Sequence, residues 1–278
     1  MSACTLNSAT SWLVDTGANQ SAKKTTQANR PKAQELPILI RISFRIGPLR
    51  CYLQSVSEYN RTRTFTYEMA ESRLRKCSKM IEALRPGNLL DIGCSTGTWS
   101  MHWQARGWSA CGIDIDRHHI EAARERGIDA RFCDLNSGQI PFPSESFDLV
   151  FAGEVIEHLV DTDGFLSEVA RCTKSGGHVI VTTPNLASFE NRLRLVLGMY
   201  PAWLNYNLQG SGHVRGYTLP VLKRQMKVHG LKTVKQTGNW VPVLPQHFTD
   251  DIKFPLLSVT GGWFPSLSMD IIVMARKV

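Results

Sequence analysis

The stretch LLDIGCSTGTWS, residues 89–100, decides the fold of this chain. A short apolar run enters a glycine-containing turn, and the turn opens onto a helix-like segment. Glycine at such a turn permits a positive φ and lets a ligand approach the backbone closely. The spacing is Asp91-x-Gly93-x-x-x-Gly97, which is not the Gly-x-Gly-x-x-Gly of dinucleotide enzymes, and no donors suited to a pyrophosphate accompany it. The pattern therefore indicates a ligand-binding turn of another kind.

Around this turn, short apolar runs alternate with amphipathic segments. Strands are predicted at residues 89–92, 110–113, 130–133, 147–151, 178–182, 232–236 and 269–275. Helices are predicted at residues 98–105, 117–126, 164–173 and 219–229, with an earlier one over 66–84 that Pro86-Gly87 stops. Strands and helices in this rhythm predict βαβ units and a mostly parallel sheet.

Two acidic residues follow the next strands at set distances. Asp114 ends the second strand, 17 residues after Gly97, and Asp134 follows the third. A carboxylate at the first position can accept hydrogen bonds from both ribose hydroxyls of a nucleoside. The second would lie near an adenine amino group. Each acid alone could be a turn former or a surface charge, but their order along one sheet edge indicates a nucleoside site.

At these motifs the chain resembles the class I S-adenosylmethionine-dependent methyltransferases over residues 67–277. The segments "LLDIGCSTGTWS", "CGIDID", "RFCDLNSGQIPFPSESFDLVFAGEVIEHL" and "SEVARCTKSGGHVIVTTPN" look like successive motifs of that family. The resemblance implies a Rossmann-like α/β fold: a seven-stranded sheet of order 3-2-1-4-5-7-6, its last strand antiparallel, with helices on both faces. It implies S-adenosyl-L-methionine as cofactor, bound through Asp91, Gly93, Cys94, Gly97, Asp114, Ile115, Asp134, Leu135 and Glu154.

Two positions depart from the common pattern of that family. Ser95 stands where a third glycine is usual, and a serine fits if its φ is negative. Lys174-Ser175-Gly176-Gly177 replaces the usual Lys-Pro-Gly-Gly, which we interpret as a variant turn.

The acceptor side is predicted to follow the fourth strand. Glu154, Glu157 and His158 fall at i, i+3 and i+4, which one helical turn brings to one face, and His213 comes later. Two carboxylates and an imidazole can bind a divalent ion. The arrangement resembles ubiquinone-pathway O-methyltransferases and small-RNA 3′-terminal ribose methyltransferases. In both, the resemblance implies a metal that gathers the acceptor hydroxyls, here at Glu154, Glu157, His158 and His213.

A second mechanism is open for the same residues. His158 is a candidate general base, which needs an imidazole pKa near neutrality, and Glu157 a candidate catalytic partner. The acids could otherwise line a solvent or substrate rim. The Asn/Asp-Pro-Pro-Tyr/Phe sequence of enzymes that methylate amide or exocyclic nitrogens is absent here, which disfavours those substrates.

The N-terminal part differs in charge from the rest. Residues 1–86 hold 14 Lys/Arg and 6 Asp/Glu, whereas residues 87–278 hold 18 of each. We interpret residues 1–60 as a basic, largely disordered segment and residues 61–278 as the methyltransferase domain. The excess charge could attract RNA or an anionic membrane, although the aromatic residues of a nucleic-acid platform are absent there.

Composition places the chain among soluble globular proteins. No run approaches 18 consecutive apolar residues, so no integral membrane segment is predicted, and the absence of a signal-like start favours the cytoplasm. Seven scattered cysteines without CxxC spacing indicate reduced thiols and no zinc site.

Three functions remain open for this sequence. The leading hypothesis is O-methylation of a small-molecule hydroxyl. An insertion at residues 185–216 and later aromatics could cover an apolar or aromatic acceptor or simply pack on the edge of the sheet; the aromatics are Tyr200, Trp203, Tyr206, Trp240, Phe248, Phe254, Trp263 and Phe264. The alternatives are an RNA 2′-O-methyltransferase and a non-catalytic S-adenosylmethionine-binding partner protein.

Overall fold

A computed structural model of the protein describes residues 71–136, 139–204, 212–243 and 257–278. Its strands form a seven-stranded sheet in the order β3-β2-β1-β4-β5-β7-β6. The strands are β1 Asn88–Ile92, β2 Ser109–Asp114, β3 Asp129–Phe132, β4 Phe147–Gly153, β5 Thr173–Pro184, β6 Leu231–Gly238 and β7 Asp270–Lys277. β7 is antiparallel to both β5 and β6, and the other pairs are parallel. The strand order expected from the sequence is confirmed.

Helices fill the connections between the strands. They are α1 Ser72–Ile81, α2 Thr98–Gln104, α3 Arg117–Glu125, α4 Thr162–Cys172, α5 Phe189–Val196, α6 Leu219–Val228 and α7 Leu257–Trp263. Two single turns of 3-10 helix lie at Ile156–His158 and Pro265–Leu267. The predicted basic segment at residues 1–60 and the start of the first predicted helix lie outside the described residues.

Polar side chains cap three of these helices at their first turn. Asp116 accepts hydrogen bonds from the His118 and His119 amides, and Asp161 accepts one from Gly164. Ser188 caps α5 in the same way. Because the first amides of a helix lack partners within it, these caps fix where α3, α4 and α5 begin.

The alternation of side chains along each strand divides the core into two layers. Leu90 and Ile92 of β1 face one layer, which contains α4 and α6. Leu89 faces the opposite layer, where α1 and α2 contribute Leu74 and Trp99. Both faces of the sheet are therefore covered, as a parallel sheet requires. Among the described residues no helix is long and apolar enough to cross a bilayer. The five cysteines that the structure describes are free thiols.

Two stretches differ from the sequence prediction. The segment Lys174–Gly177 is not a separate turn but a bulge inside β5, since Phe147 pairs with Thr173 and Leu149 pairs with His178. α7 was not predicted, because its two glycines hide its helical pattern. A Cβ at Gly261 would lie 2.5 Å from the Asn239 backbone, so close packing against the end of β6 explains this glycine.

The turn after β1 corrects one expectation about Ser95. Its φ is +47°, in the left-handed region, whereas a negative φ was expected for a serine at this position. The Ser95 amide donates a hydrogen bond of 2.9 Å to Asp114 Oδ2, which holds this conformation. Ser95 is therefore a strained position in which glycine would fit more easily.

We expect Ser95→Gly to raise the free energy of unfolding by about 0.5–1 kcal/mol. Relief of left-handed strain, roughly 1–2 kcal/mol, exceeds the extra chain entropy of glycine, about 0.5–1 kcal/mol. Urea denaturation measures the difference. Ser95→Ala is the control and should bring no gain, because alanine carries the same Cβ. A glycine variant no more stable than the parent contradicts this account of the turn.

Candidate functional site

The glycine turn lies at the carboxyl end of β1 and is tied to β2. Gly93 and Cys94 donate their amides to the Ile113 carbonyl at 2.8 and 3.0 Å. Gly93 and Gly97 have φ of +72° and +79°. A Cβ at Gly93 would lie 2.8 Å from Val155 Cγ2, so the turn packs directly on the segment that follows β4. The turn is consequently fixed to its neighbours on both sides.

Asp114, at the end of β2, is held in place by backbone donors. Its two carboxylate oxygens accept hydrogen bonds from Ser95 and Asp116 amides, each at 2.9 Å. The side chain is only 11% exposed, and Ile115 beside it is 61% exposed. A carboxylate has about four lone-pair sites, so Asp114 keeps capacity for two further donors. This arrangement can receive a vicinal diol.

Asp134 and Leu135 follow β3 on the same edge of the sheet. The Cys133 amide donates to the Asp114 carbonyl at 2.9 Å, which brings the end of β3 alongside β2. Asp134 accepts from the Asn136 amide at 2.9 Å, and Leu135 packs against the core. The structure therefore gathers the predicted cofactor residues of three strands at one edge.

Asp91 is fully buried beneath the glycine turn. Ser100 Oγ donates to its Oδ2 at 2.7 Å, while Oδ1 has no hydrogen-bond partner among the described residues. Burial raises the pKa of Asp91 to about 7; the Ser100 hydrogen bond opposes this shift, and the charge of Asp114 adds to it. Such a half-satisfied buried carboxyl is a candidate partner for a cationic group of a ligand.

Partly exposed Glu154 and buried Arg73, a residue that the sequence prediction missed, form a second charged group. Glu154 has φ of +57° and accepts a hydrogen bond of 2.7 Å from Thr182 Oγ1. Arg73 of α1 donates to the same Thr182 oxygen at 3.2 Å and to Glu71 at 2.9 Å, and it lies 3.8 Å from Glu154. Burial opposes the charge of Arg73, but Glu154, Glu71 and Asp270 outweigh burial and raise its pKa.

The 3-10 helix after β4 shows that the prediction of one helical face for Glu154, Glu157 and His158 was wrong. The turn begins at Ile156, so Glu154 precedes it and does not share a helical face with Glu157 and His158. The structure brings together Glu157, His158 and His213, and their possible ligand atoms all lie within 4.8 Å of one another. Glu154 is not in this group.

The group of Glu157, His158 and His213 is assembled by backbone hydrogen bonds. The Glu157 carbonyl accepts from the Val214 and Arg215 amides at 2.9 and 3.1 Å, which carries His213 back to the site. The His158 and His213 rings lie 4.7 Å apart between centroids. Two residues that are 55 positions apart in sequence thus lie in ring contact, and sequence spacing alone gives no measure of that proximity.

The surroundings of Glu157 and His158 favour the uncharged form of each side chain. Burial raises the pKa of Glu157 well above its usual value, the charge of Glu154 adds to this effect, and a hydrogen bond from Thr183 opposes it. Desolvation and the neighbouring His213 lower the pKa of His158. His158 is therefore neutral at pH 7 and has a lone pair available for a proton or an ion.

The described part of the predicted insertion, residues 185–204 and 212–216, contains His213 and contacts it through Trp203. His213 Nδ1 is 2.6 Å from the Trp203 carbonyl, and Trp203 is 47% exposed. Of the aromatics proposed to cover an acceptor, Tyr200, Trp263 and Phe264 are also exposed, whereas Trp240 is buried in the core. Tyr206, Phe248 and Phe254 lie outside the described residues.

The sheet order, the glycine turn after β1 and the acids after β2 and β3 define a class I S-adenosylmethionine-dependent methyltransferase. A family described as a methyltransferase domain matches residues 60–236, and the chain belongs to that family. A methyltransferase structure from Archaeoglobus fulgidus covers 82% of this chain and 99% of its own, with 17% identity and a TM-score of 0.55. At that identity it supports the fold alone.

Curated relatives are similar over about half of the chain. The demethylmenaquinone methyltransferase of Tropheryma whipplei is 29% identical over 54% of this chain and 62% of its own length. The ubiquinone biosynthesis O-methyltransferase of a Bradyrhizobium species is 32% identical over 56% of each. The chain thus spans about three fifths of the length of these relatives.

We expect Asp114→Ala to weaken S-adenosylhomocysteine binding by roughly 1–3 kcal/mol, because it removes charged hydrogen bonds to the ribose hydroxyls. Isothermal titration calorimetry measures the change. Asp114→Asn keeps an acceptor for the Ser95 amide. A loss of affinity in this variant therefore reports on the ligand contacts and not on a disturbed turn. Asp129→Ala, an exposed acid on β3, is the matched control. Unchanged affinity, or preferential NAD binding by the parent protein, contradicts the assignment.

The pKa of Asp91 predicts a pH-dependent loss of stability. Folded Asp91 titrates near pH 7 and an unfolded aspartate near 3.8, so the folded state retains the proton longer. Stability relative to Asp91→Asn should therefore fall as the pH rises from 4 to 7, by roughly 1–3 kcal/mol, and stay level above that range.

Denaturant unfolding at several pH values measures this trend. Asp129→Asn is the control: a hydrogen bond from Arg131 lowers the pKa of Asp129, so its curve should be flat or slope the opposite way. If the stabilities of the parent and Asp91→Asn change with pH in the same way between pH 4 and 7, Asp91 is ionised over that range and its pKa is not raised.

Proposed function

We propose that the protein transfers the methyl group of S-adenosylmethionine to a hydroxyl of a small, apolar acceptor. The observation that carries this proposal is the convergence of Glu157, His158 and His213 within 4.8 Å, at the sheet edge that holds the predicted cofactor residues. Such a group can bind and deprotonate a hydroxyl next to the methyl donor. The hydroxyl specificity of the Bradyrhizobium relative, an O-methyltransferase by name, supports the same chemistry.

The donor set fits a divalent ion. Glu157 Oε1 is buried and has no hydrogen-bond partner in the described part of the chain, although Oε2 accepts from Thr183 at 2.9 Å. A buried carboxylate oxygen without a partner is costly unless a ligand completes it. Two imidazoles with one carboxylate suit manganese, iron or zinc better than magnesium. We therefore propose a three-residue site of Glu157, His158 and His213, with Glu154 outside it.

In the transfer step, a lone pair of the acceptor oxygen forms the O–CH₃ bond while the S–CH₃ bond breaks. Sulfur keeps the bonding pair and becomes the thioether of S-adenosylhomocysteine, and the hydroxyl proton leaves to a base. A bound cation would lower the pKa of the acceptor hydroxyl. Glu157 and the two histidines hold that hydroxyl in place. In the competing mechanism, His158 itself takes the proton; its lowered pKa keeps the imidazole free to accept a proton but makes it a weaker base.

Exposed apolar side chains of the described part of the insertion support an apolar acceptor. On α5 and just after it, Leu193, Val196 and Leu197 are 50%, 83% and 72% exposed. Trp203, whose carbonyl meets His213, continues this surface. Ligand sites of open α/β folds lie at the carboxyl ends of the strands and combine apolar walls with a few polar groups. We infer that this segment contacts the acceptor.

An acceptor can first be found by incubating the protein with fractions of cell extract and tritiated S-adenosylmethionine. Chelation then tests the metal site. Removing the ion should abolish turnover but leave S-adenosylhomocysteine affinity within about twofold, because the ion contacts the acceptor and not the cofactor. Glu157→Gln and His213→Ala should lower bound metal and turnover together, by about 10–100-fold or more. His229→Ala, a histidine paired with Asp163 elsewhere, should change neither.

Other outcomes separate the competing functions. If chelators have no effect and only His158 substitution is severe, His158 is the base and no ion takes part. Transfer to oligonucleotide ribose, with affinity that falls steeply with salt, would establish the RNA 2′-O-methyltransferase alternative. Cofactor binding without turnover on any fraction would indicate a non-catalytic partner protein.

A further inference from the structure

A groove lined by cations lies at the far edge of the sheet from the glycine turn. It has a volume of about 570 Å³ and is formed by the outer face of α6 and by the edge strand β6. Its lining contributes five positive charges and no carboxylate: Lys223, Arg224, Lys227, Lys232 and Lys235. We refer to these five residues and the space between them as the basic groove.

The charge of the basic groove is not balanced locally. Neither α6 nor β6 contains an aspartate or glutamate. No ion pair or hydrogen bond involves the five cationic head groups in the part of the chain that the structure describes. Asp163, which lines an adjoining space with Arg224, is already paired with His229 at 2.8 Å and with Gln225 at 3.0 Å. The basic groove is therefore a local excess within residues 87–278, which are neutral as a whole.

Protection of the sheet edge explains only part of this pattern. Lysines and a bulge on an edge strand prevent unwanted pairing, and β6 has both, since its register with β7 shifts between Thr233 and Lys235. Lys223, Arg224 and Lys227 lie on the helix, where no strand edge needs protection. Cations that face each other from a helix and a strand repel one another unless an anion lies between them.

We infer that the basic groove docks an acidic polypeptide segment of a partner protein. A groove needs a convex, narrow occupant, which a helix or an extended strand supplies and a flat lipid surface does not. No aromatic side chain lines it, so the stacking platform of single-stranded nucleic acid is missing. A second copy of the chain would present the same positive charge and be repelled. Carboxylates on a partner would pair with the lysines and guide its approach.

The occupant can also use the backbone of β6. Among the described strands β6 pairs only with β7, so its outer edge offers unpaired amides and carbonyls. Val228 and Val234, 75% and 52% exposed, border the cations and add apolar contact. Paired charges around a small apolar centre are typical of transient protein interfaces. The basic groove shares no residue with the group of Glu157, His158 and His213, so a docked partner would leave those three side chains uncovered by its contacts in the groove.

Binding of a labelled sixteen-residue oligoglutamate peptide to the full chain at low salt tests this inference. The double variant Lys227→Gln/Lys235→Gln should weaken binding roughly fivefold, because two exposed ion pairs are lost. Lys79→Gln/Arg85→Gln removes the same charge from exposed positions on and after α1 and should change affinity less than about twofold. Hydrogen exchange should slow in residues 219–236 when the peptide binds. Both variants should keep S-adenosylhomocysteine affinity.

Three results would overturn the inference. Equal weakening by the two double variants would mean that only net charge matters. Peptide binding without protection of residues 219–236 would place the contact elsewhere. A larger effect of the groove variant on a sixteen-nucleotide RNA, or on vesicles of phosphatidylglycerol and phosphatidylcholine, would make the basic groove a nucleic-acid or membrane site instead.

Discussion

The hydrogen bonds that tie the turn after β1 to the end of β2 are the constraint on which the site depends. The Ile113 carbonyl accepts two turn amides, and Asp114 accepts the Ser95 amide. These contacts hold Ser95 in a left-handed conformation that its side chain disfavours. Because they join neighbouring parallel strands at their carboxyl ends, they also set the distance between the glycine turn and the acid of β2. A loose turn would leave that distance undefined.

A second constraint is the charge buried behind the sheet edge. Arg73 is the buried cation among the described residues that faces Glu71, Glu154 and Asp270. It anchors α1 to the ends of β4 and β5 through Thr182, and it offsets part of the cost of burying carboxylates. Glu157, further along the same edge, is buried; burial raises its pKa well above the usual value, and the charge of Glu154 adds to this effect. Glu154 is thus charge-paired with Arg73, while the neighbouring Glu157 is the acid that we propose for ligand binding.

The basic groove and the predicted ligand sites are formed by different residues of the sheet and its helices. The predicted cofactor residues and the Glu157, His158 and His213 group lie at the carboxyl ends of the strands, where open α/β sheets bind ligands. The basic groove lies on the outer edge formed by β6 and α6. This separation allows a bound partner and a bound acceptor to be present together, since neither surface shares a residue with the other.

The sequence by itself determined the fold class, the strand order by resemblance, and the positions of Asp91, Asp114 and Asp134 at strand ends. These features are local: a two-residue alternation, a glycine turn and an acid at a fixed distance. The sequence also suggested that His158 and His213 lie close together, but it gave no distance between the two rings. The boundaries of β5 and the presence of α7 were missed, because bulges and glycine-containing helices carry weak local signals.

Only the tertiary structure decided which of the acidic side chains lie close to one another. Glu154 shares a sequence motif with Glu157, yet a positive φ turns it toward Arg73 and Thr182 instead. Arg73 could not be recognised as buried from an amphipathic helix pattern, since two of its partners, Thr182 and Glu154, lie about 80 or more residues away in sequence. The basic groove likewise arises from two elements whose charges look ordinary in sequence. Burial and proximity between distant segments are properties of the folded chain, and no local pattern encodes them.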